Sequence, residues 1–252
     1  MSDAARRADS PPALTPYLIL GFAALLLALV ARAPASLLQK AVTPSLPFQV
    51  SAWGGTLWNG QAALVQAGEP GFWRWRLQPA ALLRGRAALQ LEATGALALH
   101  GRLERGPGGW AARGLRGSVP ARLVQPLLPP GWSLPGEFEL SGVDLARRGL
   151  TRGAWSAAAG QLRWAGGAMQ FTLGSQAQSA TLPPLVASLR REGDALVLSL
   201  AEEAGGGVLA DVKVAADGAV ETRLRERLLR YSGRTSGTSP DAVVVTSVQP
   251  AR

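Results

Sequence analysis

The stretch AALQLEATG, residues 87–95, alternates apolar and polar side chains at every second position. In an extended strand the apolar side chains share one face, and these are Ala87, Leu89, Leu91 and Ala93. The polar side chains share the opposite face, and these are Gln90, Glu92 and Thr94. Such alternation predicts a strand with one face against a core and the other in water.

The same period recurs along the rest of the chain. The segments are 97–103, 169–173, 196–200 and 208–214, and residues 242–248 read as a last strand. Thirty glycines and eighteen prolines, spread without a fixed period, suit many strands joined by tight turns. Helical patterns are few, with candidates at 121–128 and 221–233. We therefore predict a mostly β fold built on an antiparallel, curved sheet with a few short helices.

The amino-terminal part contains an uncharged apolar run, YLILGFAALLLALVA, at residues 17–31. A membrane helix needs about 20 apolar residues, and Arg32 can snorkel to extend this run. We predict a cytoplasmic terminus at 1–13, a transmembrane anchor at 14–32, a tether at 33–47 and a periplasmic β-rich domain at 48–252. A faint internal echo suggests two similar lobes, 48–130 and 131–252. A cleavable signal peptide is the alternative to the anchor.

Composition narrows the classes of function. The chain has no cysteine, so it forms neither disulfides nor thiolate metal sites. Its only histidine, His100, falls on the polar face of a predicted strand, which argues against histidine-centred catalysis or a multi-histidine metal site. The formal charge of +9 comes almost entirely from scattered arginines without a nucleic-acid recognition motif. We predict no cofactor, no metal, no nucleic-acid partner and no enzymatic activity.

Two other patterns have a structural interpretation beside a chemical one. Glu137 and Glu139 share one face of a predicted strand, as paired carboxylates of a glycosidase would, but they equally form the wet side of that strand. Eight tryptophans suggest carbohydrate stacking, yet Trp73 and Trp75 alternate with Arg74 and Arg76, as core residues do. The structural interpretation is preferred for both.

Several motifs in fixed order resemble a known family. They are LPFQVSAWGGTLWNGQAAL at 46–64, WRWRLQPAALLRGRAALQLEATG at 73–95 and GAWSAAAGQLRW at 153–164. Together with the apolar segment, they resemble protein N of the bacterial type II secretion system. The matching positions are Gly55, Thr56, Leu57, Trp58, Gly60, Trp75, Pro79, Leu82, Leu83, Gly85 and Trp164.

The resemblance implies a non-enzymatic protein of the bacterial inner membrane. It would cross the membrane once and hold a β-rich periplasmic domain that works with other secretion subunits in exporting folded proteins. One alternative is a lipid-handling protein of the AsmA-like kind, with an apolar sheet face lined by residues such as Leu89, Leu97 and Leu99. A periplasmic carbohydrate-binding module is a more distant alternative.

Overall fold

The computed structural model describes residues 15–37, 49–66, 69–95, 97–125, 133–149, 152–173, 176–231, 233, 235 and 237–250. Most of the predicted tether, 33–47, lies outside these ranges. The described fold is mostly β, as the alternating segments predict. Its fifteen strands are β1 Gln49–Gly55, β2 Asn59–Gln66, β3 Glu69–Leu77, β4 Ala87–Gly95, β5 Ala98–Gly106, β6 Gly109–Pro120, β7 Glu137–Arg148, β8 Trp155–Trp164, β9 Gly167–Leu173, β10 Gln176–Leu182, β11 Leu185–Glu192, β12 Ala195–Glu202, β13 Val208–Val214, β14 Val220–Arg225 and β15 Val243–Gln249.

Thirteen of these strands form one antiparallel sheet in which sequence neighbours are spatial neighbours. The order runs from β1 to β8 and then from β11 to β15, while β9 and β10 form a separate hairpin. The sheet continues from β6 to β7 across the boundary between the two expected lobes. Pairing between β6 and β7 does not by itself decide whether two similar lobes exist, so the division at 130 stays a prediction.

A meander of this kind places alternate turns at opposite edges of the sheet. The turns that follow β1, β3, β5, β7, β11 and β13 lie in a row at one end of the strands. We call this row of turns the anchor edge, as distinct from the edge strands β1 and β15. Its later turns touch one another, because the Gly153 N–H donates to the Ala216 carbonyl at 2.8 Å. The remaining turns lie at the opposite edge, where the β9–β10 hairpin is also inserted.

The two faces of the sheet differ as the alternation predicts. Trp73 and Trp75 pair with Ala93 and Leu91 on the apolar face, and Arg74 pairs with Glu92 on the polar face. One buried cluster on the apolar face contains Ala35, Ala62, Leu64 and Trp75. A second cluster, at the opposite edge, contains Trp164, Met169, Ala180, Leu182, Leu185 and Leu209.

Four described helices accompany the sheet. They are α1 Thr15–Ala31, α2 Pro79–Leu82, α3 Ala121–Val124 and α4 Glu226–Arg230. The described side chains of α1, at 20–22, 24–26 and 28–31, are exposed, with Leu20 at 69% and Phe22 at 63%. No helix within the described ranges combines the length and apolar character that crossing a membrane requires.

The helix expected over 221–233 is only partly correct. Residues up to Arg225 form strand β14, and the helix begins at Glu226. Backbone pairing decides this, because β14 is held between β13 and β15 in the sheet. Leu228 and Tyr231 in the second half do form an apolar stripe, which packs against the cluster around Trp164.

Candidate functional site

The end of α1 is fastened to the first turn of the sheet by hydrogen bonds. The Trp58 indole N–H donates to the Val30 carbonyl at 2.8 Å. The Leu57 N–H donates to the Ala33 carbonyl at 2.8 Å, and the Ala35 N–H donates to the Gly55 carbonyl at 3.1 Å. Three of the six residues in GTLWNG thus hold the segment that leaves α1, and we call this contact the helix–sheet junction.

Trp75 supports the junction from the neighbouring strand. Its side chain is 7% exposed, and its indole N–H donates to the Leu57 carbonyl at 3.1 Å. Gly60 lies opposite Trp75 in the register, and a Cβ there would overlap the Trp75 ring. Gly55 has φ of 79°, which an L side chain rarely adopts. The two glycines therefore allow a tight turn and a close approach of the indole.

Thr56 completes this turn with its side chain. The Asn59 N–H donates to Thr56 Oγ1 at 3.1 Å, and the Thr56 N–H donates to the Asn59 carbonyl at 3.0 Å. The six family positions between Gly55 and Trp75 therefore meet at one place, the helix–sheet junction.

The other family positions lie elsewhere. Pro79 begins α2, and Gly85 with φ of 66° ends the loop that follows it at the anchor edge. Leu82 is 40% exposed and Leu83 is 91% exposed, so neither is a core residue. Trp164 is 3% exposed at the opposite edge, where its indole N–H donates to the Pro135 carbonyl at 2.7 Å.

The polar face carries ion pairs and a few other side-chain hydrogen bonds. Glu139 lies 3.4 Å from Arg163, and Glu137 bonds to the Ser118 hydroxyl. Both glutamates are exposed, as is His100. Within the described ranges no group of three or more histidine, aspartate or glutamate side chains is arranged to hold a metal ion.

A hydrogen-bonded network crosses four strands of this face. Ser199 Oγ accepts from Arg190 at 2.6 Å and donates to Asp211 Oδ1 at 2.6 Å. Asp211 Oδ2 accepts from Arg225 at 2.8 Å. Burial alone raises the pKa of the Asp211 carboxyl, but the hydrogen bonds from Ser199 and Arg225 outweigh it and hold this pKa below its ordinary value of 3.8. The network fastens strands β11 to β14 together.

Residues 47–237 match the family model described as type II secretion system, protein N. The chain belongs to the type II secretion system protein N family. No curated protein and no solved structure gives a significant match. Membership in the protein N family makes this chain a type II secretion system component, whose partners are other subunits of that system.

Sequence reasoning missed the partners at the helix–sheet junction. Trp58 is half-buried, and its indole N–H donates to a backbone carbonyl at the end of α1. The acceptor is a backbone atom 28 residues away, so no side-chain pattern marks it. The signal available in the sequence was the position of GTLWNG, shortly after the apolar segment in this member of the protein N family.

Replacing Trp58 with alanine is expected to loosen the helix–sheet junction and leave the rest of the sheet intact. The loss of one hydrogen bond and of partial packing should lower the free energy of unfolding by about 1 to 2 kcal/mol. Hydrogen exchange should accelerate at the Leu57 amide, which bonds to Ala33. Trp58→Phe is the control, since it keeps an aromatic ring without the N–H donor. Unchanged exchange at Leu57 in both variants would contradict the assigned role.

Asp211→Asn should lower stability at neutral pH more than in acid. Because the folded state holds the pKa of Asp211 below 3.8, the carboxylate stabilises the fold above that pH, and this stabilisation disappears as pH falls through the lower folded value. We expect a deficit of about 1 to 2 kcal/mol at pH 7 in urea denaturation, shrinking below pH 4. Glu192→Gln is the control, because its ion pair with Lys213 is exposed and its effect should be smaller. A deficit that is independent of pH would contradict this account.

Proposed function

We propose that the chain is a non-enzymatic inner-membrane component of the type II secretion system, anchored through the apolar segment 14–32 that contains α1, with the sheet in the periplasm. The family match over residues 47–237 is the observation that carries the proposal. The helix–sheet junction supports it, because the carbonyls of Val30 and Ala33, at and just after the end of α1, both accept hydrogen bonds from the first turn of the sheet. These bonds restrict movement of the sheet relative to α1. A partner bound to the sheet would therefore be held at a fixed place relative to α1.

The outer edge of β15 is the surface we propose for binding another secretion subunit. β15 is the last strand of the described sheet, and no described strand pairs with its outer side, which leaves backbone donors and acceptors there for a partner. Three of its valines are exposed, Val243 at 45%, Val245 at 42% and Val248 at 65%. A strand from a partner can extend the sheet at such an edge, with backbone bonds for affinity and valines for packing.

Gene deletion followed by complementation tests the proposal. Proteins exported by the type II system should accumulate in the periplasm of the deletion strain, and the wild-type gene should restore their release. The double variant Val245→Lys/Val248→Lys should fail to restore it, because edge lysines oppose strand pairing. Ala165→Lys/Ala204→Lys adds the same charge at exposed sites in the turns after β8 and β12, away from β15, and should restore release.

The outcomes distinguish the proposed role in secretion from the proposed binding surface on β15. Full export in the deletion strain would contradict a role in secretion. If export stops in the deletion strain and the β15 variant restores it as well as the wild-type gene does, β15 is not the binding surface. The role in type II secretion would then still stand. Stable expression of each variant is verified by immunoblotting before secretion is compared.

One observation favours lipid handling as a second candidate function. The sheet has one layer, because the strands in close contact are almost all neighbours within it. No described strand or helix covers its apolar face over the central strands, and leucines in one row are half-exposed, namely Leu99, Leu140, Leu162 and Leu200. Acyl chains bound there should appear in native mass spectra of the purified protein. Leu140→Glu/Leu162→Glu should abolish them, whereas a lipid-free wild-type protein would contradict this candidate.

A further inference from the structure

A strip of arginines lies along the anchor edge. An open groove of about 380 Å³ there is lined by Arg84, Arg86, Arg105, Arg113, Arg147 and Arg148. Among the residues that the structure describes, the one acidic side chain lining this groove is Glu104, which is paired with Arg102 at 2.8 Å. In the described part of the chain, Arg84, Arg86, Arg105 and Arg148 make no ion pair. The strip therefore has a strong positive charge that the protein does not compensate.

Two leucines project from the same strip. Leu82 and Leu83 lie in α2 and the turn after it, directly before Arg84. Leu83 is 91% exposed, so almost none of its apolar surface packs against the described protein. An apolar side chain next to uncompensated arginines is the pairing that suits the interface of an anionic bilayer, where leucine enters the acyl boundary and arginine binds phosphate.

The helix–sheet junction places this strip beside α1. The turn after β1 is bonded to the end of α1, and the turn after β3, which holds Leu83, lies at the same edge two strands away. At about 4.8 Å between strands, the strip from the turn after β3 to the end of β7 is roughly 20 Å long. The strip therefore begins near the end of α1 and near a membrane that contains that helix.

Acidic side chains join basic ones farther along the anchor edge. The turn after β11 carries Asp194 and the turn after β13 carries Asp217, both exposed. Positive charge is therefore concentrated on the part of the edge that is nearer to α1. This gradient would orient the domain on a negatively charged surface.

We propose that the anchor edge is a membrane-binding surface, on which Arg84, Arg86, Arg105 and Arg148 bind phosphates of anionic phospholipids and Leu83 inserts between them. The inference rests on the proposed membrane anchoring by α1 and adds a second contact. It would hold the sheet upright on the bilayer, with the opposite edge directed away from it. Arginine suits this role, because its guanidinium binds phosphate through two parallel hydrogen bonds.

A fluorescent probe at Leu83 tests the contact in the 252-residue chain. The chain has no cysteine, so Leu83→Cys can be labelled at one site with an environment-sensitive dye. The labelled protein is reconstituted into vesicles of phosphatidylcholine alone or mixed with phosphatidylglycerol, each containing spin-labelled quencher lipids. Ala204→Cys, at an exposed turn of the opposite edge, is the matched control.

Lipid quenching of the Leu83 probe should exceed that of the Ala204 probe severalfold and should be stronger with phosphatidylglycerol. Adding Arg84→Gln/Arg86→Gln should lower the ratio of docked to undocked domain by about 30-fold, since each arginine near an anionic surface contributes a factor of about five. Arg74→Gln/Arg116→Gln removes the same charge from exposed sites on the polar face and should leave quenching unchanged.

The result that overturns the inference is distinct from failure of the anchor. If the protein floats with vesicles but the Leu83 probe is quenched no more than the Ala204 probe, the second contact does not exist and the anchor stands. If the protein does not float with vesicles, both are contradicted. Docking that is equal in neutral and anionic vesicles would overturn the part assigned to the arginines.

Discussion

Replacing Trp75 with alanine is expected to lower the free energy of unfolding by about 3 to 5 kcal/mol. Trp75 is 7% exposed in the cluster with Ala35, Ala62 and Leu64, and its ring meets that of Trp53 edge-on at 5.7 Å between centroids. The substitution leaves a large cavity and removes the bond to the Leu57 carbonyl. Urea denaturation followed by circular dichroism measures the change.

Phe72→Ala is the control for Trp75→Ala. Phe72 precedes Trp73 on the same strand but is 51% exposed, so its loss should change stability by less than about 1 kcal/mol. Equal effects of the two substitutions would show that Trp75 is not a core residue of the folded protein. Trp75→Ala should also accelerate hydrogen exchange at the Leu57 amide, because the Trp75 indole N–H donates to the Leu57 carbonyl and holds that residue in place.

Trp164→Ala is expected to cost about 3 to 5 kcal/mol for the same reason at the other end of the sheet. Trp164 is 3% exposed among Met169, Leu182, Leu185 and Leu209, and it bonds to the Pro135 carbonyl. Its cluster shares no residue with that of Trp75, so the effects of the two substitutions should add. Val248→Ala, at a side chain that is 65% exposed, is the control and should have a small effect.

Thermal unfolding of both tryptophan variants also tests the division into lobes. Because β6 and β7 pair within one continuous sheet, we expect a single transition that moves to lower temperature in either variant. Two transitions, of which Trp75→Ala moves one and Trp164→Ala the other, would establish independent lobes. Equal shifts of both transitions by either variant would contradict that division.

Much of the sheet follows from local pattern. The stretch 87–95 forms β4 over those same residues, with Leu89 and Leu91 on the apolar face as predicted. Side-chain direction alternates along any extended strand, so the identity of each face can be derived without knowing the neighbours. The segment 221–233 shows where this fails, because spacing of Leu224 and Leu228 fits a helix while pairing with β13 and β15 makes residues up to Arg225 a strand.

The residues of the helix–sheet junction could be predicted from the sequence, but their hydrogen-bond partners could not. GTLWNG could be identified as a glycine-framed turn, and Trp75 as a residue of an apolar face. That Trp58 donates to Val30, and that Trp75 donates to Leu57, required the fold, because both acceptors are backbone carbonyls. Neither bond has a side-chain pattern that could be recognised in the sequence.

The sequence by itself determined the fold class, the polar and apolar faces of strands such as β4, and the family, since each depends on local alternation or on motifs in order. Only the tertiary structure decided that Leu83, Arg105 and Arg148 share one edge with the end of α1. These arginines are scattered along the chain, and an antiparallel meander collects them because every second turn returns to the same edge. Charge that is dispersed in sequence is thereby concentrated in space.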